Sequence, residues 1–381
     1  MDKIKKRKST YAKSGVNIEL GDEVSKILYK VAKLSWKNRK GKLGELIVPT
    51  DSFSGVRAIN VGNLPKGTLM NIGFDGVGTK MELAERMKNF STIAYDLFAM
   101  VCDDAVVRGA EPVLIGTILD VNSLGKNKKN YLEQIKQLAE GYVKAAKEAN
   151  VAIVNGEVAE LGNRVGGYGD FNCNWGASIV WFAKKERLFT GKEIKVGDYL
   201  VGFQEKGFRS NGLSLVRKIM EDKHGKDWHK IKLKGWNKSL GELVLKPSKI
   251  YSAAVVDMFG GLEGQQKVKL HGVAHITGGG LPGKLGRILE PSSFGANINN
   301  LFPIPKLMKY CQEKGNISDE EAFNTWNMGT GMVIITPEPQ KVIKIAKKYM
   351  IDSQLIGKVT KDKGIRINSN GFFESGDILS F

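Results

Sequence analysis

The stretch T-L-M-N-I-G-F-D-G-V-G-T-K, residues 68–80, decides how the rest of the chain is read. An apolar run with strand character passes directly into an acid, two glycines, a hydroxyl and a lysine. Gly76 and Gly78 let the backbone turn tightly and approach a ligand closely. Asp75, at the strand end, can hold Mg²⁺ directly or through water, in the way Mg²⁺ is shared between carboxylates and substrate phosphates. Thr79 adds a hydroxyl, and Lys80 can meet a phosphate as a point charge. The G-x-x-x-x-G-K-[ST] spacing of a Walker loop is absent. Taken alone, D-G is also an ordinary hairpin signal.

Strand-like and helix-like segments alternate on either side of this motif. Val24, Ile27, Leu28 and Val31 recur at helical spacing before it. After it the pattern predicts a helix over 91–107, capped by Ser91 or Thr92. Strands are predicted at 112–119, 151–154 and 178–182, and an amphipathic helix at 129–149. The charged segment 184–197 is the best domain boundary. Alternation then restarts, with strands at 199–203, 332–336 and 354–359 and helices at 211–223, 248–259, 282–289 and 338–349. Residues 224–241 read as a surface insertion, and residues 1–15 as a mobile basic arm. The expectation is an α/β (α+β) protein of two domains, 16–190 and 191–381.

Composition narrows the function. The chain has 381 residues, 42% hydrophobic and 26% charged, as in a globular protein with a large core. Its 45 glycines exceed the usual share. The three cysteines, Cys102, Cys173 and Cys311, fit neither a disulfide framework nor a zinc site, so a reducing, cytoplasmic setting is expected. No apolar run reaches bilayer length and no secretory leader is legible, so no membrane partner is expected. The net charge of +18 comes from lysines scattered along the chain. With no nucleic-acid motif beside them they read as solvated faces, and a positive field also suits a phosphorylated substrate.

Further segments carry possible chemistry. On the 91–107 helix, Asp96 and Asp103 lie within about 20° of each other and Asp104 about 80° from Asp96. Carboxylates on so apolar a helix need a cation or donors. N-G-E-V-A-E-L-G, 155–162, follows a buried strand, where ligands gather in α/β proteins. Its Glu157 and Glu160 can bind metal or move protons. H-I-T-G-G-G-L-P, 275–282, sets three glycines before a helix start, an anion site by virtue of free N–H groups and the helix dipole. G-F-R-S-N-G, 207–212, also precedes a helix, with Ser210 or Asn211 as cap and Arg209 able to reach a phosphate or carboxylate. T-W-N-M-G-T-G-M, 325–332, offers Asn327 to a substrate amide.

In this order and spacing the segments resemble the phosphoribosylformylglycinamidine cyclo-ligase (aminoimidazole ribonucleotide synthetase) family. Y-A-K-S-G-V-N-I (11–18), Y-D-L-F-A-M-V-C-D-D-A-V-V-R-G-A-E-P (95–112), S-N-G-L-S-L-V-R-K (210–218), A-H-I-T-G-G-G (274–280), N-M-G-T-G-M (327–332) and L-I-G-K-V (355–359) carry the likeness beside F-D-G-V-G-T-K. The resemblance implies that two N-terminal domains pair in a homodimer around a shared β-barrel. It implies ATP-dependent closure of formylglycinamidine ribonucleotide to aminoimidazole ribonucleotide, with ADP and phosphate released, in purine biosynthesis. Asp75, Asp96 and Asp104 would serve Mg²⁺–ATP, with Gly76, Gly78, Thr79 and Lys80 at the nucleotide. Thr277, Gly278, Gly279 and Gly280 would cradle a phosphate, and Arg209, Ser210, Asn211 and Asn327 would meet the phosphorylated substrate. His275, Lys80 and Glu157 are the candidate catalytic residues.

The chain departs from the family pattern in places. Arg209 stands where histidine is expected and Asp103 where asparagine is expected. N-G-E-V-A-E replaces G-G-E-T-A-E, and Trp326 and Met328 replace Phe and Cys. S-F-S-G (52–55) is the nearest remnant of a glycine-rich loop. Thiamine-monophosphate kinase-like and hydrogenase-maturation-like enzymes share the acids but not the whole motif set. A non-catalytic nucleotide-binding paralogue is the alternative of a different class.

Overall fold

The computed structural model describes residues 18–50, 55–126 and 129–381. The expected basic arm, nearly all of Y-A-K-S-G-V-N-I and Ser52–Ser54 of the S-F-S-G remnant lie outside these residues.

Two sheets organise the chain. The first has four strands, β1 (Thr68–Gly76), β2 (Glu111–Val121), β3 (Ala152–Glu160) and β4 (Cys173–Lys184), in the order β1-β4-β2-β3. β4 runs antiparallel to both β1 and β2, while β2 and β3 are parallel. One face buries Ile115, Leu119, Trp175 and Ile179 against helices α1 (Ile18–Trp36), α3 (Ile93–Val106) and α4 (Leu132–Ala149). The opposite face leaves Met70, Ile72, Phe74 and Ile118 exposed, Phe74 by 73%.

The N-G-E-V-A-E segment differs from expectation. It continues β3 instead of forming a loop, because β2 offers a parallel ladder as far as Val121↔Glu160. Glu160 accepts the Leu124 N–H at 2.6 Å and so braces the next turn.

The second sheet has seven strands. These are β5 (Tyr199–Gln204), β6 (Gly272–His275), β7 (Gly295–Ile298), β8 (Thr330–Thr336), β9 (Ser353–Thr360), β10 (Ile365–Asn368) and β11 (Ile378–Ser380), in the order β6-β8-β5-β9-β7-β10-β11. β8 is buried along its whole length, as its T-G-M-V-I-I-T run requires. The short apolar runs that become β7, β10 and β11 lack helical or strand periodicity long enough to read in advance.

α3 joins the two halves. It is apolar nearly all round, as a fully buried helix must be. Leu97 and Phe98 lie in a core shared with Phe208, Leu213 and Trp326 of the second half. Val106, at its other end, packs among Val201, Phe203 and Tyr251. Its cap differs from expectation: Thr92 makes no side-chain cap bond, and the Ser91 hydroxyl donates to Asn89 instead.

The segment 224–241 is also more than a surface insertion. Trp228 is fully buried, and the Arg86 guanidinium sits 5.9 Å from its ring and 4.5 Å from that of Tyr168. Among the described residues no helix is long and apolar enough to cross a membrane.

Candidate active site at the junction of the two halves

β1 delivers Asp75 to the seam between the halves. Its Oδ1 accepts the Gly76 N–H at 2.7 Å. Gly78 turns the chain at φ 65°, in the left-handed region, and α2 (Lys80–Met87) begins two residues later. Burial raises the Asp75 carboxyl above its ordinary range. The Gly76 N–H opposes this, and the Asp104 charge adds to it, so the two carboxylates lie within electrostatic reach.

Lys80 does not reach this opening. It is fully buried, and its ammonium donates to Asp96 Oδ1 at 2.6 Å, the Phe208 carbonyl at 3.0 Å and the Lys246 carbonyl at 2.6 Å. An ammonium has three protons, so none remains for a phosphate. Asp96 is equally buried and also accepts the Ser248 N–H and hydroxyl. The acid trio of α3 therefore divides: Asp96 and Asp103 meet the protein's own cations, and only Asp104, 58% exposed, faces outward.

Asp103 is paired with Arg209 at 2.9 Å, both essentially fully buried. Arg209 also donates to Glu205 at 3.0 Å, the Lys249 carbonyl at 3.0 Å and His275 Nε2 at 2.8 Å. The expected phosphate contact by Arg209 is thus corrected: its four terminal N–H groups are all engaged inside the protein. His275 closes β6, and its Nδ1 meets Asp104 at 2.6 Å. Burial alone would raise the Asp104 carboxyl. The His275 hydrogen bond and the charges of Lys284 and Arg209 outweigh it and hold Asp104 below the usual carboxylate range.

After His275 the chain enters I-T-G-G-G and then α5 (Gly280–Leu289). Thr277 is buried, while Gly278 and Gly279 are exposed at the helix N-terminus. Ser210 and Asn211 approach from the 207–212 loop. A Cβ on Gly278 would lie 3.4 Å from the Asn211 amide. The buried Ser210 Oγ and Asn211 Oδ1 have no partner among the described residues. Neither caps the next helix; that place is taken by Gly212.

Gly280 is needed for space as well as backbone angle. A Cβ there would lie 1.7 Å from the Phe323 carbonyl oxygen, at φ 59°. Gly280→Ala should therefore displace the loop, with a stability loss of about 2–4 kcal/mol in urea unfolding.

Comparison with known proteins gives this junction its context. Residues 57–174 match the family described as "AIR synthase related protein, N-terminal domain", and residues 195–370 match its C-terminal counterpart. The phosphoribosylformylglycinamidine cyclo-ligase of Methanocaldococcus jannaschii is 35% identical over 364 residues, covering 95% of this chain and 94% of that protein. That of Thermococcus kodakarensis is 33% identical over 365 residues, covering 95% and 98%.

The chain belongs to the phosphoribosylformylglycinamidine cyclo-ligase family.

Solved structures share its fold at low identity. The thiamine-monophosphate kinase of Stenotrophomonas maltophilia superposes with a TM-score of 0.58 at 12% identity, covering 90% of this chain and 95% of that one. The E. coli hydrogenase maturation protein HypE gives 0.57 at 15% identity, covering 92% and 95%.

Within this cyclo-ligase family member, two other expected residues stand apart from the junction's open side. Asn327 is buried. Its amide N–H donates to the Gly207 carbonyl at 3.0 Å, and its carbonyl accepts the Gly329 N–H at 2.9 Å. It ties the 207–212 and 327–330 turns together through one N–H and its carbonyl. Glu157 lies opposite Ile118 on the exposed sheet face, in a groove it shares with Phe74, Asp75, Gly116 and Asn155.

Three cationic residues escaped the sequence reading. Arg108, Lys284 and Arg287 line a cavity of about 140 Å³ with Asp104 and His275.

Among the described residues, no three His, Cys, Asp or Glu side chains converge on one metal position. Among the described residues, Asp75 and Asp104 supply two carboxylates within electrostatic reach at the opening. That pair suits Mg²⁺ completed by phosphate oxygens and water. Asp96 is fully buried, its Oδ1 held by Lys80 and Ser248 and its Oδ2 without a partner among the described residues.

Proposed function

We propose that the chain catalyses ATP-dependent ring closure of formylglycinamidine ribonucleotide to aminoimidazole ribonucleotide, releasing ADP and phosphate. The observation that carries this reading is the convergence of Asp75 from one half with Asp104, His275, Lys284 and the T-G-G-G loop at one junction, in a chain similar to cyclo-ligases over nearly its whole length. The chemistry needs one anionic substrate held against a second. Asp75 and Asp104 would hold Mg²⁺, which when bound neutralises charge on the transferring phosphate. Backbone N–H groups at the α5 N-terminus and the Lys284 ammonium bind phosphate. Ser210 and Asn211 orient the substrate, and His275 keeps Asp104 aimed. The formyl oxygen takes the phosphoryl group, a nitrogen of the same molecule attacks that carbon, and phosphate departs as the ring closes.

The test is direct. Purified protein with ATP, Mg²⁺ and formylglycinamidine ribonucleotide should form ADP and aminoimidazole ribonucleotide in equal amounts. ADP without imidazole product, or no turnover, would reject the assignment.

The exposed sheet face supports a homodimer. β1 is an edge strand, and Met70, Ile72, Phe74 and Ile118 form an apolar surface beside it. Pairing two such faces buries this surface and places Glu157 and Asn155 near the partner. Phe74→Asp should remove about 3–6 kcal/mol per dimer, two buried phenylalanines, and give a monomer mass by light scattering. A monomeric unmodified protein, or an unaltered dimer in the variant, would count against this pairing.

A further inference from the structure

The two departures from the family pattern at Arg209 and Asp103 are in contact. Their side chains form an ion pair at 2.9 Å with exposures of 1% and 0%. A buried guanidinium needs counter-charge, and Asp103 and Glu205 supply it on two sides. Asp103 is itself anchored, since its Oδ1 accepts the Tyr251 N–H at 2.9 Å and the Ser252 N–H at 2.8 Å. The Tyr251 ring lies 5.3 Å from the guanidinium carbon.

The direction of the next bonds follows from chemistry. A guanidinium only donates, so the 2.8 Å contact makes His275 Nε2 an acceptor. The proton of the neutral imidazole is then on Nδ1, which donates to Asp104 at 2.6 Å. Hydrogen bonds thus run one way, from Arg209 through His275 to the exposed Asp104.

We propose that Arg209 and Asp103 are a matched pair of positioning residues: Asp103 fixes Arg209, Arg209 locks His275 as its Nδ1–H tautomer, and His275 aims Asp104 at Mg²⁺–nucleotide. The last step rests on the functional reading above. The pair is matched because neither member stands alone. Arg209→His leaves the Asp103 carboxylate buried without a cation, and Asp103→Asn leaves the guanidinium with Glu205 only. Changing both removes both charges and leaves two neutral hydrogen-bonding side chains.

Two measurements test it. In full-length protein carrying ¹⁵N-histidine, with His275 assigned through His275→Gln, Nδ1 should show a bound proton and Nε2 should not; a proton on Nε2 overturns the chain of bonds. In the cycle Arg209→His, Asp103→Asn and the double variant, calorimetry of ATP binding against Mg²⁺ should show each single change weakening binding about 10-fold or more and the double recovering to within about threefold. KM for the phosphorylated substrate should stay within about twofold throughout, since no Arg209 terminal N–H is free for it. Additive losses, or a KM rise confined to the Arg209 variant, would overturn the pair. Absence of Mg²⁺–ATP binding in the unmodified protein would reject the functional reading instead, and the tautomer result alone would then judge the Arg209–His275 link.

Discussion

Asp96→Ala is expected to cost about 3–5 kcal/mol of stability, because it strands the Lys80 ammonium in a fully buried position. The bond network explains why the loss is large. Lys80 and Asp96 belong to the first half of the chain, and the Phe208 and Lys246 carbonyls and Ser248 belong to the second. One ion pair thus clamps both halves, and its removal loosens the seam that holds the site. Lys80→Met should cost a similar amount, leaving Asp96 with the Ser248 donors alone. The double variant Lys80→Met/Asp96→Leu removes both charges and should recover most of the loss, since apolar replacement of a buried pair is often neutral. Urea midpoints across this cycle measure the coupling. Nucleotide affinity in the refolded double variant separates two roles for Lys80. A clamp predicts affinity within about threefold of the unmodified protein, whereas a phosphate contact predicts a loss of about 1.5–3 kcal/mol.

Asp104→Asn and Asp75→Asn are expected to lower turnover by about 10²–10³-fold, because each removes charge from the carboxylate pair at the junction. The pKa directions support opposite effects on function and fold at Asp75. Burial and the Asp104 charge raise its carboxyl, so the ionised group is a strained one. Replacing it with a neutral amide of the same shape relieves that strain. Asp75→Asn should therefore leave the melting temperature unchanged or slightly raised while Mg²⁺-dependent nucleotide binding falls. Such a trade is expected where a site keeps like charges together for a ligand. Unaltered nucleotide affinity in both variants would reject this carboxylate pair.

The legible parts of the site were those where composition alone limits conformation. Three successive glycines ahead of an apolar helix mark a place where backbone, and not side chains, meets a ligand. The structure puts Gly278 and Gly279 there at an exposed helix start, and packs Gly280 so tightly that no Cβ fits. The D-G-V-G-T turn was legible for the same reason. Arg209 was not. Its place before a helix N-terminus suggested an anion, and nothing nearby in sequence showed that Asp103, 106 residues away, occupies its fork. The predicted strand at 151–154 stops short of Glu157, a candidate catalytic residue, because the parallel strand that extends β3 through it lies more than thirty residues earlier.

What the sequence determined by itself was the longer strands and helices, from local apolar periodicity, and the glycine turns that end β1 and begin α5; the short strands β6, β7, β10 and β11 took shape only from their sheet partners. Only the tertiary structure decided which charges meet a ligand. Asp96, Asp103 and Asp104 share one helix of uniformly apolar residues, and spacing on that helix cannot rank them. Packing of the 205–210 and 246–252 segments against α3 supplies Asp96 and Asp103 with buried partners and leaves Asp104 at the opening. A charge buried beside a fixed counter-ion is held by desolvation and geometry, and one beside water stays free for a ligand. That difference is a property of neighbours: Lys80 lies 16 residues from Asp96, but Ser248, Arg209 and His275 are brought from more than a hundred residues away.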